Sequence, residues 1–289
     1  MIRTVAPFGF VVLWSTGWIV ARYVADFADP FLFLVLRMLF AGAALALLAV
    51  LAGSVWPKGW RDRVHAGVSG VLLHTGYLGG VWWAVEHGLS ATLSGLLAAL
   101  QPILSAVLAP ILLKERIGPV RAAGVGIGFM GLCLVLAPRL AALAEGERPA
   151  GAPLLVNVFA MVSATAGTFY QKALVRGEDV RTVAVWQYVG AFLAFLPLMF
   201  LLGDLHFQSS PFAWAVMAWS VGGISIGAIA LLLVLIREGE VSRSSQLFFL
   251  VPPVTALQAM VLFGDRLSPV QWAGMAVTCL GVALAMRRA

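Results

Sequence analysis

Apolar residues in this chain fall into long runs, and the polar positions between them are short and clustered. A helix that crosses a bilayer needs about 20 apolar residues. Runs of that length are predicted at 6–25, 30–52, 64–85, 91–113 and 120–137, and again at 152–175, 183–202, 211–236, 244–263 and 270–286. Asp29-Pro30 opens the second run with a helix-start signal. No run alternates with a period of two, which excludes the strand pattern of a membrane barrel. The pattern predicts an all-α membrane protein with ten transmembrane helices.

The second five runs copy the first. Adding 150 to Ser94, Pro102, Glu115-Arg116, Pro119-Val120, Gly124 and Gly131 lands on Ser244, Pro252, Asp265-Arg266, Pro269-Val270, Gly274 and Gly281. The same offset carries Ser105 to Thr255, Gly17 to Gly167, Arg22 to Lys172 and Arg37 to Gln187. Matches at one constant offset are the mark of an internal repeat. Five spans per copy is an odd number, so the second copy enters the membrane the other way up. The expected domains are a first repeat over 1–139, a linker over 140–151 and a second, inverted repeat over 152–289.

Few polar groups lie inside the runs, and each carries a bland reading beside a functional one. Trp14, Gly17, Trp18 and Ala21 share one helix face. That face either packs on a neighbouring helix or lines a cavity. Arg37 sits well inside the second run, where a charge marks a functional site by default, and a snorkelling or interhelical structural role is the plainer reading beside ligand contact. His74 and Tyr77 share a face at i, i+3, next to Gly76, Gly79 and Gly80. His74 either faces a cavity or donates to a backbone carbonyl. The fourth run carries Gln101 and Ser105 on one stripe with Pro102 between them, and the ninth carries Gln246, Pro252, Pro253 and Thr255. Proline frees a carbonyl that lipid cannot satisfy. Paired breaks at matching places in two repeats point to a transporter's binding site. The expected substrate-binding residues are therefore Trp14, Trp18, His74, Tyr77, Gln101, Ser105, Thr168, Gln246 and Thr255, with hinges at Pro102, Pro252 and Pro253.

Composition narrows the class. The chain is 61% hydrophobic and 11% charged, with a mean hydropathy of +0.96. A water-exposed domain carries roughly a quarter of its residues charged. Cys133 and Cys279 fall inside apolar runs and read as small buried residues, with neither a disulfide nor a metal site. The start of the chain has no small-x-small cleavage signal before Arg22, so an uncleaved first span is expected.

The basic residues set the orientation. Lys58, Arg61, Arg63, Lys114, Arg116, Arg121, Lys172, Arg176, Arg181, Arg237 and Arg243 fall on one side, with Arg3, Arg287 and Arg288 at the chain ends. Arg22, Arg139, Arg148 and Arg266 fall on the other. The cytoplasmic side carries the Lys/Arg excess, so both termini are expected in the cytoplasm. The +6 net charge then reports topology and gives no nucleic-acid surface.

At these residues the chain resembles the EamA family of the drug/metabolite transporter superfamily. The resemblance rests on Trp14-Ser15, Pro30 with Arg37, and Gln101-Pro102 followed by Lys114-Glu115-Arg116, Pro119, Gly124 and Gly131. The second copy repeats the pattern as Pro252, Gly264-Asp265-Arg266, Pro269, Gly274 and Gly281, with Asp265 where the family usually has Glu. Within that superfamily the chain looks most like bacterial exporters of aromatic amino acids, the YddG type, but lacks a tryptophan near Ser163. The resemblance implies a central cavity lined by spans one, three, four, six, eight and nine, with the fifth and tenth peripheral.

The expected function is a secondary transporter of the bacterial inner membrane, exporting amino acids with aromatic or other apolar side chains by alternating access. It would act as a monomer in the lipid bilayer and without a cofactor. An exporter of drugs or quaternary cations is the alternative, though that chemistry wants a buried carboxylate and the acidic residues fall at span ends or loops. An integral-membrane enzyme would need a positioned nucleophile and base, and no Gly-rich phosphate loop signals a pump. His74 is the intramembrane group whose ordinary titration lies near neutral pH, and an apolar setting predicts a neutral wall residue and facilitated transport.

Overall fold

The structure, a computed structural model, describes residues 2–113, 118–144, 151–175, 179–228, 230–231 and 250–285. Ten helical passes are present among them, and no strand; the one β-type contact is an isolated bridge between Ala28 and Phe207. Helix α1 spans Ile2–Val24 and α2 spans Pro30–Leu51. The third pass is composite, with α3 Trp60–Gly70, a π-helical stretch Val71–Gly79 (π1) and α4 Gly80–Glu86. The fourth is broken into α5 Ala91–Leu97 and α6 Leu100–Leu113, and the fifth is α7 Pro119–Ala144. The second copy follows as α8 Gly151–Leu174, α9 Val180–Leu202, and α10 Pro211–Ala218 running into a π-helical stretch Trp219–Ala228 (π2). Helices α11 Val251–Phe263 and α12 Pro269–Ala285 complete it.

Helix starts follow local chemistry. Asp29 caps α2 by accepting from Leu32 N at 2.7 Å, with Pro30 at the first helical position. Asp179 caps α9 through Arg181 N at 2.9 Å. Ser268 and Gln271 form a reciprocal capping box at α12, with Gln271 Oε1 accepting from Ser268 N at 3.0 Å. At the other end of α11, Gly264 adopts φ +71°, a left-handed cap that suits glycine.

The repeats are inverted, as the antiparallel pairing of α2 and α9 demonstrates. Asp29, at the start of α2, also accepts from Asp204 N at 2.9 Å, just beyond the end of α9. Near the start of α9, Thr182 donates to Val55 O at 2.9 Å, just beyond the end of α2. The bundle thus has an Asp29 end and a Lys58 end.

Helices α7 and α12 pack backbone against backbone. A Cβ at Gly131 would run into Thr278 N and lie 2.7 Å from Gly274 O, and one at Gly281 would strike the Gly128 backbone. Glycine lets the backbones touch, the device by which membrane helices associate without a hydrophobic driving force. Helix α7 continues past the expected span limit, through Pro138 to Ala144. Leu140, Ala141, Ala142, Leu143 and Ala144 are strong helix formers, and they make the first part of the expected linker helical.

Candidate functional site

The central polar cluster begins with Arg37. It lies in the middle of α2 and is 4% exposed. Its Nε donates to Ser225 Oγ on π2 at 3.2 Å, and its guanidinium carbon sits 5.9 Å from the Trp82 ring centroid on α4. The phenols of Tyr77 on π1 and Tyr188 on α9 lie within electrostatic reach of the guanidinium. His74 on π1 stacks on Tyr188, with ring centroids 4.9 Å apart and planes at 28°. Helices from both repeats thus bring one cation, two phenols, an indole and an imidazole together.

Gln187, the repeat mate of Arg37, makes the matching cross-repeat contact. Its Nε2 donates to Ser69 Oγ on α3 at 3.0 Å and lies 3.1 Å from Gln171 Oε1 on α8. Arg37 therefore ties the second helix of one copy to the third pass of the other, and Gln187 does the reverse. One tie carries a charge and the other does not.

Two π-helical stretches, π1 and π2, occupy matching passes of the two copies. Such stretches recur at functional sites because their i→i+5 bonds widen the helix and re-aim side chains. His74 stacks on Tyr188, and His74 and Tyr77 both lie in the field of Arg37. Helix α8 seats closely on π1, since a Cβ at Gly76 would overlap Ser163 Oγ and one at Gly80 would approach Ala160 Cβ to 2.9 Å. Ser163 itself donates to Leu72 O at 2.9 Å.

The fourth pass breaks at Ala98-Ala99, just ahead of Pro102. Pro102 has no N–H to offer the Ala98 carbonyl, which instead accepts from Gln101 N at 3.1 Å. Gln101 and Ser105 are half-buried beyond the break. Pro252 and Pro253 stand in the first turn of α11. Thr255 is fully buried against Gly95, where a Cβ would come within 2.6 Å of its Cγ2. Its hydroxyl has no hydrogen-bond partner among the described residues, and neither has Trp18 Nε1. Trp14 is half-buried, its ring 5.5 Å from Phe10. Thr168 is exposed and donates to its own helix at Ala164 O, 2.8 Å away, so it lies off the face that Ser163 and Gly167 turn to π1. Gln246 lies outside the described residues.

At the Asp29 end, Thr92 donates to Asp265 Oδ2 at 2.6 Å, tying α5 to the turn after α11. Two clefts of about 390 Å³ flank this contact and share Ser90 and Asp265 in their walls. Neither is lined by a residue expected to bind substrate. No residue of the Arg37 cluster lines either of them.

Sequence reasoning missed Tyr188, Ser225 and Trp82 as parts of this cluster. The available signal was the position of Ser225 among Gly222, Gly223 and Gly227 in the pass matching His74.

The EamA-like transporter family model matches residues 5–137 and again 152–287. The chain is 25% identical to an uncharacterized transporter of Synechocystis over 303 residues, covering 98% of this chain and 88% of that protein. It is 27% identical over 284 residues to a probable terminal-alkyne amino-acid exporter of Streptantibioticus cattleyicolor, covering 96% and 91%. A WAT1-related chloroplastic protein of Arabidopsis thaliana is 25% identical, covering 97% and 67%. A solved crystal structure superposes with a TM-score of 0.68 at 22% identity, covering 98% of this chain and 95% of that one, and shows the same fold. With both halves of its length matched and a multi-pass helical fold, this chain belongs to the EamA-like transporter family and is a membrane transporter, not an enzyme.

Proposed function

We propose that this transporter exports amino acids with aromatic or other apolar side chains. It works by alternating access between repeats 1–139 and 152–289, in the bacterial inner membrane with both termini cytoplasmic, and as a monomer. The observation that carries the reading is the central cluster, where His74, Tyr77 and Tyr188 supply ring faces and hydroxyls beside Arg37. Aromatic walls give an apolar side chain contact area at little entropic cost, and a few polar groups fix its orientation.

Trp18 Nε1 and Thr255 Oγ1, without partners among the described residues, add a buried donor and a buried hydroxyl on α1 and α11. The described carboxylates stand at helix ends or turns, where Asp26, Asp179 and Asp204 are paired with Arg22, Arg181 and His206. That distribution favours a zwitterion over a quaternary cation. The relative described as a probable terminal-alkyne amino-acid exporter points the same way.

Counterflow in proteoliposomes with a panel of labelled amino acids tests the reading. Exchange of phenylalanine, leucine or their neighbours, with little of glycine or glutamate, is expected. Exchange of tetraphenylphosphonium with none of the amino acids would replace it with cation export.

A further inference from the structure

We infer that Arg37 is the group that recognises the substrate's carboxylate, an assignment that rests on the amino-acid reading above. A cation buried in an apolar bundle is costly unless something of opposite charge meets it. Arg37 is 4% exposed, and no carboxylate among the described residues lies within ion-pair distance of it. The neighbours in its field are Tyr77, Tyr188 and His74, none with a formal negative charge.

The guanidinium is nevertheless held in place. Nε is used by Ser225 at 3.2 Å and the Trp82 ring stands 5.9 Å from the guanidinium carbon. Among the described residues these leave the two terminal nitrogens of the fork without a hydrogen-bond partner. Two parallel N–H donors in a fixed plane match the two oxygens of a carboxylate. Gln187 at the mate position, which cannot supply this charge, spends its amide on Ser69 and Gln171. The asymmetry gives the inverted repeats a single anion site between them. Tyr77 and the His74–Tyr188 stack stand beside it, where they meet the rest of the substrate, and Ser225 is a positioning residue for the fork.

Three ligands separate the possibilities: phenylalanine, phenylalaninamide (no carboxylate) and 3-phenylpropionate (no ammonium). Each is assayed by counterflow and by thermal stabilisation of the detergent-purified full chain. Wild-type protein should prefer phenylalanine over the amide by at least about tenfold and be stabilised by 3-phenylpropionate. Arg37→Met should lose that preference and the stabilisation. Arg37→Lys should retain part of both, and Ser225→Ala should raise KM for phenylalanine more than for the amide. Equal handling of phenylalanine and its amide by wild type overturns the inference. So does an Arg37→Met or, if that variant does not fold, a Ser225→Ala protein whose preference and stabilisation are unchanged. If no amino acid exchanges but 3-phenylpropionate stabilises wild type, Arg37→Lys in part and Arg37→Met not at all, the amino-acid reading fails and the carboxylate site stands.

Discussion

Asp29 and Asp179, 150 residues apart, occupy the same place in the two repeats and opposite ends of the α2–α9 pair. Each caps its own helix, and Asp29 also holds the hairpin beyond α9 through Asp204 N. Asp29 is 2% exposed, so its loss removes a buried cap and a second backbone hydrogen bond. Asp29→Ala should cost about 2 kcal/mol, and Asp179→Ala, more open to water, about 1 kcal/mol. Thermal unfolding in detergent measures both. Equal effects would mean that the Asp204 contact adds nothing.

A pH dependence follows from the same pair. The hydrogen bond from the Arg181 side chain holds the Asp179 carboxyl well below the usual carboxylate range. A group whose folded value is depressed stabilises the protein above its unfolded value, and loses that contribution as pH falls through the folded one. Its share of stability should therefore be constant down to about pH 4 and decay below it. Asp179→Asn should flatten that part of the curve and leave the neutral region nearly level.

The α7–α12 glycines should be intolerant of even one methyl group. Gly131→Ala or Gly281→Ala places a Cβ against backbone and should destabilise by about 1–3 kcal/mol. Gly126→Ala, with nothing within 4 Å of its new Cβ, should be neutral or stabilising by up to about 1 kcal/mol. Yields and melting temperatures of the three variants decide it, and a matching loss in Gly126→Ala would locate the cause elsewhere.

Side-chain selectivity should reside in the aromatic wall. Tyr77→Ala or Trp18→Ala should weaken transport of phenylalanine roughly tenfold more than that of valine. Counterflow rates for the two substrates provide the ratio. Uniform loss in a normally folded variant would assign these rings to packing.

Transport should need no proton. His74 stacks on Tyr188 beside the permanently charged Arg37 and has no acidic partner among the described residues. Equilibration without accumulation is expected in proteoliposomes under an imposed pH gradient. Uphill accumulation driven by protons, and abolished by His74→Gln, would make His74 the coupling site.

The features written into neighbouring residues were legible before any coordinates. Asp29-Pro30 announces a capped helix, and Gln101-Pro102 announces a break that falls at Ala98-Ala99. The offset of 150 pairs Gly131 with Gly281, and that pairing reappears as the α7–α12 interface. The π-helical stretches were not legible. Their Gly-rich sequence also fits an α-helix, and the seat of α8 against Gly76 and Gly80 is a long-range contact that no local pattern encodes. Thr168, expected on the face of Ser163, is exposed and bonds back to its own helix. The Arg37–Ser225 bond joins opposite repeats, so spacing along either one is silent about it.

The contact between α7 and α12 is the same surface meeting itself. Gly131 lies against Gly274 as Gly281 lies against Gly124, a twofold relation between the two repeats. Between separate subunits such a contact is isologous, the kind that closes twofold dimers. Each five-helix half thus brings a complete, self-complementary seat for a second half in the opposite orientation. Joining the two in one chain adds no new chemistry to that seat. It fixes the stoichiometry at one to one, makes docking intramolecular, and frees the halves to diverge, as Arg37 and Gln187 have done.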